Sequence, residues 1–76
     1  MKGLLEVIAK ALVDHPDEVV VTEKETEKGL VLELRVAPGD MGKVIGKQGR
    51  IARSIRAVVK AAASKEDRQV SVEIEE

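Results

Sequence analysis

Two glycines three positions apart, Gly46 and Gly49, most constrain the fold, because they bracket a polar pair between two apolar patterns. Glycine has no Cβ, so it can adopt positive φ and let another backbone approach closely. Lys47 and Gln48 direct charge and hydrogen-bond donors outward. A helix is predicted to begin at Arg50, so its unpaired N–H groups and the positive end of its dipole face the same place. The stretch therefore predicts a loop that receives a phosphate chain.

Length and composition bound the class of protein. A chain of 76 residues predicts one domain over residues 1–76, with a single modest core. With 43% apolar and 36% charged residues it is expected to be globular and soluble. Cysteine is absent, which excludes disulfides and cysteine-ligated metals. The first residues lack the uninterrupted apolar region of a signal peptide, so a cytoplasmic location is expected.

Charge is distributed unevenly along the chain. Every charged residue from position 43 to position 65 is basic, so this segment carries +7. Because the whole chain has a net charge of −1, the remaining residues carry −8. This pattern predicts a basic band on an acidic body, as in proteins that contact phosphate on one face. The basic residues are Lys43, Lys47, Arg50, Arg53, Arg56, Lys60 and Lys65.

Hydrophobic periodicity predicts the first half of the fold. Apolar residues at helical spacing predict a first helix that ends near Asp14-His15, before Pro16. Val19–Thr22 and the alternating stretch Leu30–Val36 predict two antiparallel strands, joined by a charged connection over residues 23–29. The apolar positions of the first helix are Leu4, Leu5, Ile8, Ala11 and Leu12.

The second half continues with helices around the glycine loop. Asp40 follows a Pro-Gly break and is a predicted N-cap for a helical turn that ends at Ile45. Arg50 begins a second long helix, and alternation from Val70 predicts a closing strand. The predicted core stripe of this second long helix is Ile51, Ile55, Val58 and Ala62. Beside that stripe lie Ala52, Val59 and Ala63, which are either helix formers at the edge of the core or a flank of small residues that a second helix approaches in a dimer interface.

These elements predict an α+β fold in the order α-β-β-α-α-β. A helical crossover joins the second strand to the last, so those two strands should be parallel, whereas the first two form a hairpin. The expected architecture is a three-stranded mixed sheet with three helices on one face.

Other site types fail on the residues present. A dinucleotide fingerprint would need glycine where Val44 stands, and a Walker A loop would need Gly at Met41 and Ser or Thr at Gln48. His15, the single histidine, has no second histidine or cysteine to form a metal or catalytic pair. We therefore expect no enzyme activity, no metal and no cofactor.

Val44-Ile45-Gly46-Lys47-Gln48-Gly49-Arg50, followed by Ile51 and Ile55 and flanked by strands, resembles the signature of the KH domain. The order of elements is similar to the bacterial type II arrangement, and most similar to the KhpA (YlqC) family of small stand-alone proteins. The resemblance implies that the loop grips the backbone of about four nucleotides of single-stranded RNA.

Physical chemistry and the resemblance indicate the same candidate residues. Glycines admit the backbone, basic and amide side chains contact phosphate, and Val44 and Ile45 form an apolar floor. The predicted RNA-binding residues are Lys43, Val44, Ile45, Gly46, Lys47, Gln48, Gly49, Arg50 and Arg53. The chain has no aromatic residue, so base stacking on aromatic rings is excluded, and weak sequence selectivity is expected.

Two roles remain open at this point. The first is a module that acts on many RNAs as a chaperone or regulator. The second is an interaction module that mainly holds a protein partner. The resemblance implies both, because such proteins pair with themselves and with a larger KH protein of the Jag type. It also favours the dimer interface at Ala52, Val59 and Ala63.

Overall fold

The computed structural model describes residues 1–75. Glu76, the last residue of the expected single domain, lies outside the described residues. Residues 1–75 form three α-helices and three strands in the predicted α+β order. They are α1 (Lys2–Leu12), β1 (Val20–Thr26), β2 (Gly29–Arg35), α2 (Met41–Ile45), α3 (Arg50–Lys65) and β3 (Val70–Glu75).

The strands form one mixed sheet with β2 at its centre. β1 pairs with β2 in the antiparallel sense, with Val21 opposite Leu34. β3 pairs with β2 in the parallel sense, with Leu32 opposite Val72. The parallel pair needs a crossover connection, which α2 and α3 supply. The predicted topology is confirmed.

The hairpin is longer and its tip tighter than the sequence predicted. β1 extends to Thr26, which pairs with Gly29, so that two residues, Glu27 and Lys28, form the turn. The run Glu23 to Thr26 was predicted to be part of a connection because it is highly polar. Pairing with β2 satisfies its backbone, and side chains of this strand segment are exposed, so polarity does not prevent a strand here.

The core lies between the sheet and the helices. Alternate leucines of β2, Leu30, Leu32 and Leu34, are buried against it. From α1 the buried residues are Leu5 and Ala9. The predicted stripe of α1 is therefore wrong in part, because Leu4 and Leu12 remain more than a third exposed.

The long helix α3 presents a different face to the core from the one predicted. Its buried residues are Ala52, Ile55, Val59 and Ala63. Val58, a predicted core residue, is 47% exposed. Ile55 is buried as predicted, but the centre of the buried stripe is rotated by roughly 75° from the expected orientation.

This rotation corrects the predicted dimer interface. Ala52, Val59 and Ala63 are at most 3% exposed and pack inside the protomer, so they are not available to a second copy. Both stripes have helical spacing, so periodicity alone cannot choose between them. Alanines at the buried positions let α3 approach the rest of the core closely, and the larger Val58 stays outside.

Candidate nucleic-acid interface

The short helix α2 positions the glycine loop. Its bounds match the predicted turn, and with five residues it is too short to be stable without tertiary contacts. Val44 anchors it, with a side chain that is completely buried in the core. Val44 was predicted to be part of an apolar floor for RNA, and this burial shows that prediction to be wrong.

Asp40 holds the beginning of α2 in an unexpected way. It stands at the N-cap position, as predicted, but its carboxylate is directed to the segment after α1. Its Oδ2 atom accepts the backbone N–H of His15 at 3.0 Å and lies 3.2 Å from Nδ1 of the His15 ring. Asp40 is 1% exposed, so these contacts satisfy a buried charge.

The Asp40–His15 contact shifts both groups. Burial acts to raise the pKa of Asp40, but hydrogen bonds from the backbone N–H groups of His15 and Asp14 and from the His15 side chain outweigh it and lower the pKa. The same side-chain hydrogen bond, followed by the charge of Asp40, raises the pKa of His15. The pair therefore favours a carboxylate facing a protonated imidazole.

Both glycines of the loop have positive φ, but their surroundings differ. Gly46 ends α2 with φ 74° and ψ 174°, and Gly49 precedes α3 with φ 74° and ψ 16°. A Cβ at Gly46 would lie 2.6 Å from Cγ1 of Ile51. A Cβ at Gly49 would meet no other atom of residues 1–75 within 4 Å, neighbours in sequence aside. Gly46 is thus required by packing beneath the loop, and Gly49 borders open space.

The loop carries a strained residue that α3 supports. Gln48 has φ 57° and ψ 25°, a left-handed conformation that is uncommon for residues with a Cβ. Its carbonyl oxygen accepts a hydrogen bond from Nη2 of Arg53 at 2.9 Å. Arg53 therefore holds the loop in shape, while its remaining N–H groups add positive charge beside it.

The remaining predicted RNA-binding residues lie at or near the surface. Lys47, Gln48 and Arg50 are exposed, and Ile45 is half-buried next to the loop. Lys43 is also exposed, but its Nζ atom lies 3.2 Å from Oδ2 of Asp14, so part of its charge is neutralised.

The structure extends the basic surface beyond the predicted residues. Arg56 and Lys60 belong to the predicted basic band but not to the predicted RNA-binding residues, and both are exposed. Together with Val70, Ser71 and Val72 of β3 they line a depression between α3 and the edge of the sheet. The Nε atom of Arg56 donates to the carbonyl oxygen of Val72 at 3.3 Å.

We use the name basic groove for this depression together with the adjoining parts of the same side of α3. It comprises strand residues 70–72, the side chains of Arg56, Lys60 and Arg53, and the loop residues 46–49 that precede α3. The spacing of the three basic side chains, i, i+3 and i+7, predicts that they share one side of the helix. The contribution of β3 has no comparable signal in the sequence, because it depends on which strand lies beside α3.

A second concave surface lies between α1 and α3. Its apolar lining and the two polar residues at its rim form what we call the α1–α3 groove. Val58 is 47% exposed and Leu12 is 37% exposed within it. The residues are Ile8, Leu12, Ile51, Ile55 and Val58, with Arg50 and Ser54 at the rim.

Within residues 1–75, no group of three or more histidine, cysteine, aspartate or glutamate side chains is arranged to hold a metal ion. Over the same residues, no helix combines the length and the apolar character that crossing a membrane requires.

A mixed three-stranded sheet, three helices and a G-x-x-G loop between α2 and α3 define the type II KH fold. The family described as KhpA/KhpB, KH domain, matches residues 2–74. The chain therefore belongs to the KhpA/KhpB family of KH domains, and the resemblance in its sequence is confirmed.

Similar proteins from several bacteria cover almost the whole chain. RNA-binding protein KhpA of Clostridium acetobutylicum is 68% identical over 74 residues, which is 97% of this chain and 99% of the relative. The proteins of the same name from Caldanaerobacter subterraneus and Aquifex aeolicus are 61% and 53% identical, over 97% of this chain and 99% and 94% of the relatives. No solved structure gives a significant match.

Proposed function

We propose that this protein binds single-stranded RNA along the basic groove, with the G-x-x-G loop holding the sugar-phosphate backbone. The observation that carries the proposal is the loop itself, where exposed Lys47 and Gln48 stand beside the open side of Gly49. The acid-free side of α3 continues from it. Relatives that are 51 to 68% identical are named RNA-binding proteins, which supports RNA as the ligand.

The chemistry of the groove favours backbone contacts over base recognition. Lys47 and the first N–H groups of α3 attract phosphate, and Arg53 and Arg56 add charge along its path. Ile45 and the edge of β3 offer a surface for bases, but no aromatic ring is available to stack on them. We therefore propose broad specificity, as suits an RNA chaperone or a regulator of many transcripts.

The double variant Lys47→Asp with Gln48→Asp tests the assignment. It puts two carboxylates against phosphate and leaves both glycines and the core unchanged, so RNA binding should be lost while the fold remains. Titration of labelled single-stranded RNA measures the effect.

The control variant is Lys2→Asp with Gly3→Asp, which makes the same change in charge at exposed positions at the start of α1. It should bind RNA almost as the parent does. If the folded loop variant bound RNA as tightly as the parent, the loop assignment would be wrong.

A second proposal concerns self-association. We propose that a second copy of the chain covers the α1–α3 groove, because Val58 and Leu12 there leave apolar surface in water. A domain of this size gains stability by burying a further patch. The same surface suits a larger KH partner of the Jag type, and in that case holding the partner would be the main role.

Light scattering decides between these states. The pure protein should have the mass of a dimer at tens of micromolar, and Val58→Asp should be a folded monomer. Val58 replaces the predicted Ala52 as the test position, because Ala52 is buried within the protomer. A monomeric parent would overturn the proposal for a homodimer and leave the surface to another partner.

A further inference from the structure

The two ends of α2 have different partners. Its C-terminal end leads directly into the G-x-x-G loop, and its N-terminal end is held by the segment that follows α1. The helix has five residues and is about 7 Å long, so a change at one end is transmitted to the other. Whatever holds Asp40 therefore also influences where Gly46 lies.

Two consecutive residues make those contacts. His15 donates its backbone N–H to Oδ2 of Asp40 at 3.0 Å, with its ring Nδ1 at 3.2 Å from the same atom. Asp14 meets Lys43 at 3.2 Å. The imidazole is 57% exposed, so its protonation can follow the solvent, whereas the carboxylate it meets is 1% exposed.

We propose that His15 and Asp40 form a protonation-sensitive clamp that positions α2, and with it the G-x-x-G loop, for the RNA backbone. The last step of this inference rests on the proposed RNA-binding function. The clamp acts through the loop and contacts no RNA itself, so both are positioning residues.

The charges around His15 agree with this assignment. A protonated imidazole makes a charge-assisted hydrogen bond to the carboxylate, which is stronger than the bond from a neutral ring. Asp14 and Glu18 of the same segment also favour the charged form, after Asp40. Lys43, the cation of α2, forms an ion pair with Asp14, the residue before His15.

The pH range of the clamp follows from the directions of the two shifts. The pKa of His15 is raised above 6.5, so its contribution is complete below 6.5 and is lost as pH rises through the raised value. The pKa of Asp40 is lowered below 3.8, so its contribution is lost only in stronger acid. His15 is the single histidine and cysteine is absent, so few other groups titrate near neutral pH.

Nuclear magnetic resonance of the free protein tests the first step. The amide signals of Gly46 and Gly49 should shift with the same midpoint as the His15 ring between about pH 5.5 and 8.5. In His15→Gln this shift should vanish. If the loop amides of the parent did not follow the titration of His15, the clamp would be overturned whether or not RNA binds.

RNA affinity tests the second step. For a hydroxyl-ended oligouridine, the parent's Kd should rise about threefold from pH 6 to pH 8.5. At the higher pH a smaller fraction of the molecules has a loop that is competent to bind. His15→Gln should show no such rise. Asp40→Asn keeps the histidine charge but removes the carboxylate, and it should also be flat. Persistence of the pH effect in Asp40→Asn would assign it to long-range charge and overturn the clamp.

The outcomes separate this inference from the proposed function. Loss of binding in the Lys47→Asp, Gln48→Asp variant together with a pH-independent Kd of the parent would reject the clamp and leave RNA binding at the loop intact. Unchanged binding in that variant would reject the loop assignment, and the amide titration would still report on the clamp.

Discussion

The two sides of α3 differ in chemistry although they belong to one helix. One side presents Arg53, Arg56 and Lys60 to the basic groove, and the other presents Ile51 and Val58 to the α1–α3 groove. The charged side is evident from residue order, because no acid interrupts it. The apolar side depends on how the helix is rotated in the fold. The charged side of a helix can therefore be predicted even when the rotation of the helix is predicted wrongly. Which apolar residues are buried and which are exposed cannot.

The two sides meet beneath the loop. Ile51 lines the α1–α3 groove and also lies under Gly46, where an added Cβ would come within 2.6 Å of it. Arg50 stands at the rim of the apolar groove and also lines a depression with Arg53. Because the two sides share these residues, substitutions on each side show whether the two surfaces act separately.

The largest difference is expected between neighbouring valines. Val59 is completely buried, so Val59→Asp should cost more than about 4 kcal/mol and leave the domain largely unfolded. Val58 is 47% exposed, so Val58→Asp should keep a native circular dichroism spectrum. Thermal denaturation of both variants measures the contrast. Equal loss of structure in both would show that the assigned rotation of α3 is wrong.

The two loop glycines should also differ. Gly46→Ala places a methyl group against Ile51 in a conformation that favours glycine, and should destabilise the domain by about 3 kcal/mol. Gly49→Ala meets open space and should cost about 1 kcal/mol, from its positive φ alone. Urea denaturation at equal protein concentration gives both values. A larger loss of stability in Gly49→Ala than in Gly46→Ala would show that Ile51 does not restrict the space at Gly46.

On the charged side, Arg56→Ala should weaken RNA binding about fivefold, because one charged contact along the groove is worth about 1 kcal/mol. Its stability should fall by no more than about 1 kcal/mol, because the exposed side chain gives up one hydrogen bond, to the carbonyl oxygen of Val72. Lys10→Ala on α1 is the matched control and should bind as the parent does. An unchanged Kd for Arg56→Ala would restrict the interface to the loop.

The smallest effect is expected in the salt dependence of RNA binding. Replacing Lys47 by Gln removes one phosphate contact, so the slope of log affinity against log salt should fall by about 0.7. Lys2→Gln, outside the acid-free segment, should leave the slope unchanged. Titrations at several salt concentrations give the slopes, and an equal change in both variants would argue against a localised phosphate site.

Much of the fold and part of the candidate site follow from local patterns. The bounds of α2 and the start of α3 come from a break at Pro38-Gly39, an N-cap position and the glycine loop. The extension of β1 was missed because strand pairing can stabilise a polar segment that has no hydrophobic alternation. The contact of Asp40 with His15 was missed because it joins residues 25 positions apart.

By itself the sequence determined the element order, the mixed sheet, the loop of Gly46 and Gly49 and the acid-free charge around them. Such features depend on residue type and near neighbours, through backbone freedom, periodicity and charge. Tertiary structure alone decided that Val44 and Val59 are buried, that Val58 is exposed and that β3 lies beside Arg56. These are properties of packing, because a helix with two apolar stripes reaches its orientation by contact with residues far away in the chain.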